Sequence, residues 1–131
     1  MNVGTYTIEV DEERKLVKIV VVGTFDDKKA GEFHQDYLKT VYPLQTEDYL
    51  LLANGVDMDV ITMDMLPKLQ MSFAFYKKSK FKEICFIIVN DEVRKQVLKL
   101  IRFSGITDIT DITFMIPEEV DAKIEAHQNR N

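Results

Sequence analysis

The chain has 131 residues, a formal net charge of -5, 46% apolar and 30% charged residues, and one cysteine. That length suits one domain with its own core, and the composition excludes a disordered chain. The acidic balance argues against non-specific nucleic-acid binding, no apolar run approaches the about 20 residues of a membrane-spanning helix, and a lone Cys85 excludes an internal disulfide framework.

The opening Met1-Asn2-Val3-Gly4 lacks the basic and apolar regions of an export signal, so the expectation is a cytoplasmic protein. Thr5–Val10 alternates as a strand, Asp11–Arg14 is a polar turn, and Lys15–Val22 is a second strand, giving a hairpin that Gly23 ends. Asp26 or Asp27 then caps a first helix, in which Ala30, Phe33, His34, Tyr37, Leu38 and Val41 recur at helical spacing, and Pro43 stops it. Asp48–Ala53 is short, apolar and bounded by polar segments, as a central strand is.

A loop through Asp57 and Asp59 leads to a second helix. Pro67 is tolerated only in a first turn, which predicts a start at Asp64 or a distorted first turn, with the helix running to about Lys78. Glu83–Val89 reads as a buried strand. Asp91 is the expected cap of a third helix with Val93, Val97, Leu100 and Ile101 on one face, and Gly105 ends it. Ile109–Ile116 is a last strand, Pro117 opens a short fourth helix with Val120 and Ile124 inward, and residues 127–131 read as a frayed tail. The expected fold is therefore α/β: a mixed sheet of four to five strands opened by an N-terminal hairpin, largely parallel beyond it, with about four helices on one or both faces in one domain over 1–131.

No catalytic or metal constellation stands out. His34 and His127 are far apart in sequence, and no Cys-x-x-Cys or His-x-x-x-His occurs, so no metal or cofactor is expected. Cys85, mid-strand between Ile84 and Phe86, reads as a buried structural thiol. Gly occurs five times, and no glycine-rich phosphate cradle follows a strand.

The second helix carries more information. At 100° per residue, Leu66, Leu69, Phe73 and Tyr76 form one stripe toward the sheet, with Met65 at its margin. Met71 and Phe75 fall on the opposite side near Lys68, where an outer helix face should be polar. Two large apolar side chains there are either covered by a neighbouring loop or the C-terminal helix or, left in water, predict a protein partner or a homodimer through this helix. A small apolar ligand between the helix and the sheet, lined by Met65, Phe73 and Tyr76, is the alternative. An enzyme using Asp57, Asp59 or Thr62 is a third reading, and solvated loop carboxylates are its plainer counterpart. Charge is uneven as well: residues 1–66 hold 6 Lys/Arg and 13 Asp/Glu, whereas residues 67–131 hold 11 and 9. Arg94, Lys95, Lys99 and Arg102 share an outer face of the third helix, beside Lys77, Lys78, Lys80 and Lys82. Solvation explains such a face, and an acidic partner is its functional reading.

The element order, with Gly23-Thr24-Phe25-Asp26 where the second strand meets the first helix, resembles the STAS domain of bacterial anti-sigma-factor antagonists and of the cytoplasmic part of sulfate transporters. The resemblance spans roughly Thr5 to Ile124. It implies a non-catalytic regulatory module that binds a protein partner. In the antagonists an Asp-Ser-Ser-Gly stretch at the start of the second helix carries a phosphorylated serine, whose added charge disrupts an interface. The corresponding stretch here is Asn54–Asp64, which lacks that motif. The resemblance makes Thr62 the phospho-acceptor candidate, between Val60-Ile61 and Met63, with Asp57, Asp59 and Asp64 as carboxylates that would repel a phosphate brought close. Asp57, Asp59, Asp64, Lys68, Met71 and Phe75 are the expected partner-binding residues.

Overall fold

The computed structural model describes residues 4–129. Five strands form one sheet in the order β1-β2-β3-β4-β5: β1 (Thr5–Asp11), β2 (Leu16–Val22), β3 (Leu50–Asn54), β4 (Glu83–Ile87) and β5 (Asp111–Met115). β1 and β2 are antiparallel, and every later pair is parallel. The hairpin reaches seven residue pairs, from Thr5 opposite Val22 to Asp11 opposite Leu16. Gly23, at φ 74°, ends β2 in the left-handed region that glycine adopts most readily.

Among the described residues there are four α-helices: α1 (Asp27–Thr40), α2 (Leu66–Ser79), α3 (Asp91–Ser104) and α4 (Val120–Asn129). Each parallel connection steps one strand in the same direction. With right-handed crossovers, that places the three connecting helices on one face of the sheet.

Strand periodicity divides the core accordingly. Val17, Ile19, Leu51, Ile84 and Phe86 point to the side covered by α1, α2 and α3, where they meet Phe33, Tyr37, Phe73, Tyr76, Val97 and Leu100. Their neighbours Leu16, Leu50, Leu52, Cys85 and Ile87 point the other way, under Val120 and Ile124 of α4. Phe73 stacks on Phe86 at 5.5 Å and Phe86 on Phe114 at 5.7 Å, carrying one aromatic row from α2 across β4 to β5.

At the helix ends the structure chooses between expected caps of α1 and departs from the sequence reading at α3 and α4. Asp26 caps α1, its carboxylate accepting from the Lys29 N–H at 2.8 Å. The cap of α3 is Asn90 rather than Asp91, with its side-chain oxygen accepting from Glu92 and Val93 N–H groups. The expected frayed tail is ordered as far as residue 129. His127 is buried with Nε2 3.0 Å from the Lys15 carbonyl, and Gln128 donates to the Arg14 carbonyl, so the last turn of α4 is pinned to the β1–β2 turn. Positions 130 and 131 lie outside the described residues.

Under α4, Glu83 accepts from the Thr113 hydroxyl at 2.7 Å and pairs with Lys123 at 2.6 Å. The Cys85 thiol lies 3.8 Å from the same carboxylate. Burial, reinforced by that negative neighbour, pushes the thiol up to about 12. Cys85 is thus a buried structural thiol, as its mid-strand position implies.

Candidate interaction face at the start of the second helix

The segment from Asn54 to Met65 crosses the C-terminal ends of the parallel strands. Asn54 starts it with a side-chain oxygen that accepts from the Val56 N–H, the local turn that asparagine favours. Gly55 N–H donates to the Ile87 carbonyl at 2.9 Å. Gly23 N–H donates to the Asp57 carbonyl, Asp59 N–H donates back to Gly23, and the Thr24 hydroxyl donates to the Asp59 carboxylate at 2.6 Å. At the far end the Gln96 side chain of α3 holds the Ile61 peptide on both sides: Ile61 N–H to Oε1 and Nε2–H to the Ile61 carbonyl, each 2.9 Å.

Ile61 and Met65 are buried and anchor the segment to the core. The residues between and beside those anchors are turned outward. Val60 and Asp64 are exposed, Met63 is 89% exposed and Leu66 38%. Thr62 is exposed, and its carbonyl accepts from the Met65 N–H. Residues 63–65 form a turn and α2 begins at Leu66 with Pro67 in its first turn, the distorted start that Pro67 predicts. Leu66 is the first residue of α2 and is 38% exposed, so the stripe that the 100° wheel draws toward the sheet begins at Leu69 rather than Leu66.

Further along α2, Met71 is 52% exposed, as its position on the outer face predicts. Phe75 differs from the sequence reading. It is half-buried, stacked on Tyr37 at 5.8 Å and edge-on to His34 at 5.2 Å, so α1 shelters it. The wheel treats α2 as a helix with one neighbour, the sheet; the second neighbour, α1, covers the flank that Phe75 occupies. Lys68 also turns toward α1, with Nζ 2.8 Å from the Asp27 carboxylate and 2.9 Å from the Asp64 carbonyl.

Of the candidate residues, the fold therefore gathers Asp57, Thr62 and Asp64 with Met63 and Leu66 along one exposed segment, with Met71 on α2 beyond it. Asp59 and Lys68 are engaged in internal contacts. Met63, Leu66 and Val60 are the members that sequence reasoning missed. Pro67 is the signal for Met63, because it keeps residues 63–65 out of the regular helix.

Two other arrangements have the look of chemistry. His34 Nε2 lies 2.9 Å from the Ser72 hydroxyl, but Ser72 is buried and also donates to the Lys68 carbonyl at 3.3 Å, so the pair joins α1 to α2. Burial lowers the His34 pKa, which keeps the imidazole neutral there. The expected ligand space is nearly filled: a cavity of about 50 Å³ lies between α2 and the sheet beside Phe73 and Tyr76, and a separate one of about 30 Å³ lies beside Met65. Organic ligands occupy about 300–1,000 Å³. Among the described residues no group of His, Cys, Asp or Glu could hold a metal ion, and no helix is long and apolar enough to cross a membrane.

No family model matches the chain, and no curated protein matches it significantly. A solved structure does: an uncharacterised DUF3478-family protein with a SpoIIAA-like fold from Shewanella loihica PV-4. The TM-score is 0.64 with 11% identity, over 92% of this chain and 91% of that one. The chain thus has a SpoIIAA-like, STAS-like α/β fold, as its element order and the Gly23–Asp26 junction imply.

Proposed function

We propose that the protein is a non-catalytic regulatory module that works by binding a protein partner, or a second copy of itself, through the start of α2. The observation that carries this reading is the exposure of Met63, Leu66 and Met71 at the end of, and just beyond, a loop that Gly23, Thr24 and Gln96 hold through Asp57, Asp59 and Ile61. Leaving large apolar groups in water forgoes about 25 cal/mol per Å² of burial. Because the loop backbone is held beforehand, a partner that covers them orders side chains and not the path of the chain. The SpoIIAA-like fold supports a regulatory role by resemblance to the antagonists, and a single cysteine, Cys85, buried mid-strand, suits a reducing cytoplasm. Phosphate on Thr62 would place negative charge on the rim of this face and weaken its contacts.

The test is a photo-reactive benzoylphenylalanine placed at Met63 and, as a control, at Glu9 on β1, with irradiation in intact cells. The expected result is an adduct of one discrete mass from Met63 and none from Glu9. Equal, diffuse labelling from both positions would contradict the reading.

A further inference from the structure

A second surface has its own chemistry. Between α2, α3 and the connection to β5 lies an open cleft of about 580 Å³, lined by Gln70, Ala74, Lys78, Lys80, Phe103 and Ile109, among others. Its base is Leu100, which is buried, and its apolar walls are Phe103, 80% exposed, and Ile109, about half exposed. None of its lining residues is acidic. Lys77 closes one end, donating from Nζ to the Ser104 carbonyl at 3.1 Å, which ties α2 to the end of α3. Lys78 and Lys80 stand on the rim, and among the described residues no carboxylate pairs with either. Lys99 and Arg102 add positive charge on the exposed side of α3.

We propose that this cleft docks an acidic peptide segment of a partner protein, one that carries a single large apolar side chain between carboxylates. Phe103 and Ile109 offer the contact for that side chain, and Lys78 and Lys80 complement the flanking charges. The charge pattern decides the sign of the partner: an apolar cleft with an unpaired basic rim penalises a basic segment and attracts an acidic one. Within the chain, Met63 is one exposed large apolar side chain set between carboxylates, Asp59 and Asp64, on the face at the start of α2. A second copy docking by that segment is the competing occupant, and self-assembly that Phe103→Ala abolishes is its signature. The concave shape suits an inserted side chain rather than a flat surface. This inference rests on the reading of the chain as an interaction module and adds a second docking surface with a partner chemistry.

The probe is a set of short fluorescein-labelled peptides, each with one Leu, Phe or Trp flanked by Glu, with Lys-flanked counterparts. They are titrated against the isotope-labelled full chain and followed by anisotropy and amide chemical shifts. The expected result is saturable binding of the Glu-flanked peptides alone, weakening with salt, with shifts at Ala74, Phe103 and Ile109. Phe103→Ala weakens binding about tenfold, and Lys78→Glu with Lys80→Glu does so as well. These side chains are exposed, and an unchanged urea midpoint confirms that the variants fold. No binding by any Glu-flanked peptide, or equal binding of the Lys-flanked set, overturns the proposal. So does transfer of the chain to phosphatidylserine vesicles without peptide binding, or self-assembly lost in Phe103→Ala. Peptide failure with an intact Met63 adduct would remove this cleft alone; loss of both would remove the interaction reading itself.

Discussion

Aromatic contacts at the level of single side chains decide how much of α2 is available outside. Phe73, buried and stacked on Phe86, holds the helix to the sheet. Phe73→Ala should destabilise the fold by about 3–5 kcal/mol, read from urea unfolding. On the α1 side, Phe75 and His34 share an aromatic contact, and the lowered His34 pKa has a definite consequence for stability. A base whose folded pKa lies below its unfolded value near 6.5 binds fewer protons when folded. Its contribution is full above the unfolded pKa and is lost as pH falls through 6.5 toward the folded value. The unfolding midpoint should therefore drop more steeply between neutral and mildly acidic pH in the parent chain than in His34→Gln. Parallel curves would show that His34 does not carry the dependence. The Cys85 thiol is both buried and raised, so it should react with a disulfide reagent only at the rate at which the chain opens.

Between elements, the clamp of Gln96 on Ile61 and the left-handed end of α2 are the telling joints. Gln96 accepts from the Ile61 N–H and donates to the Ile61 carbonyl, bridging the two peptide groups of one loop residue before α2. Gln96→Ala should cost about 1–3 kcal/mol and speed hydrogen exchange at Ile61, with the rest of the chain unaltered. Lys80 ends α2 at φ 54°, ψ 49°, where glycine is the relaxed choice. Lys80→Gly should raise stability by about 1 kcal/mol in urea unfolding and weaken capture of acidic peptides at the adjacent cleft. A variant more stable and equally competent in binding would remove Lys80 from the cleft's recognition.

Taken whole, the molecule shows which parts of a fold are local enough to read from sequence. Strand–helix order, the antiparallel opening hairpin and the parallel remainder follow from residue periodicity and punctuation at Gly23, Asn54 and Gly105. The STAS likeness then follows from that order. What the sequence leaves unread arises where three elements meet. Phe75 looks outward on a wheel drawn against the sheet alone, yet α1 covers it. His127 sits among polar residues near the end of the sequence, yet its imidazole finds the Lys15 carbonyl 112 residues earlier. Leu66 looks like a helix-stripe residue, yet it opens α2 beside Pro67 and stays exposed. The cleft is of the same kind, because Phe103 and Ile109 come together with Lys78 only through the packing of α3 on α2.

A functional face built on apolar side chains beside a clamped loop is tested best by removing their apolar character while leaving the clamps. Once the species cross-linked at Met63 is identified and purified, its affinity is measured for the parent chain and for Met63→Glu with Met71→Glu. The account predicts a loss of about tenfold or more, with the urea midpoint unchanged because both side chains are already in water. Equal affinity of the two proteins would contradict it.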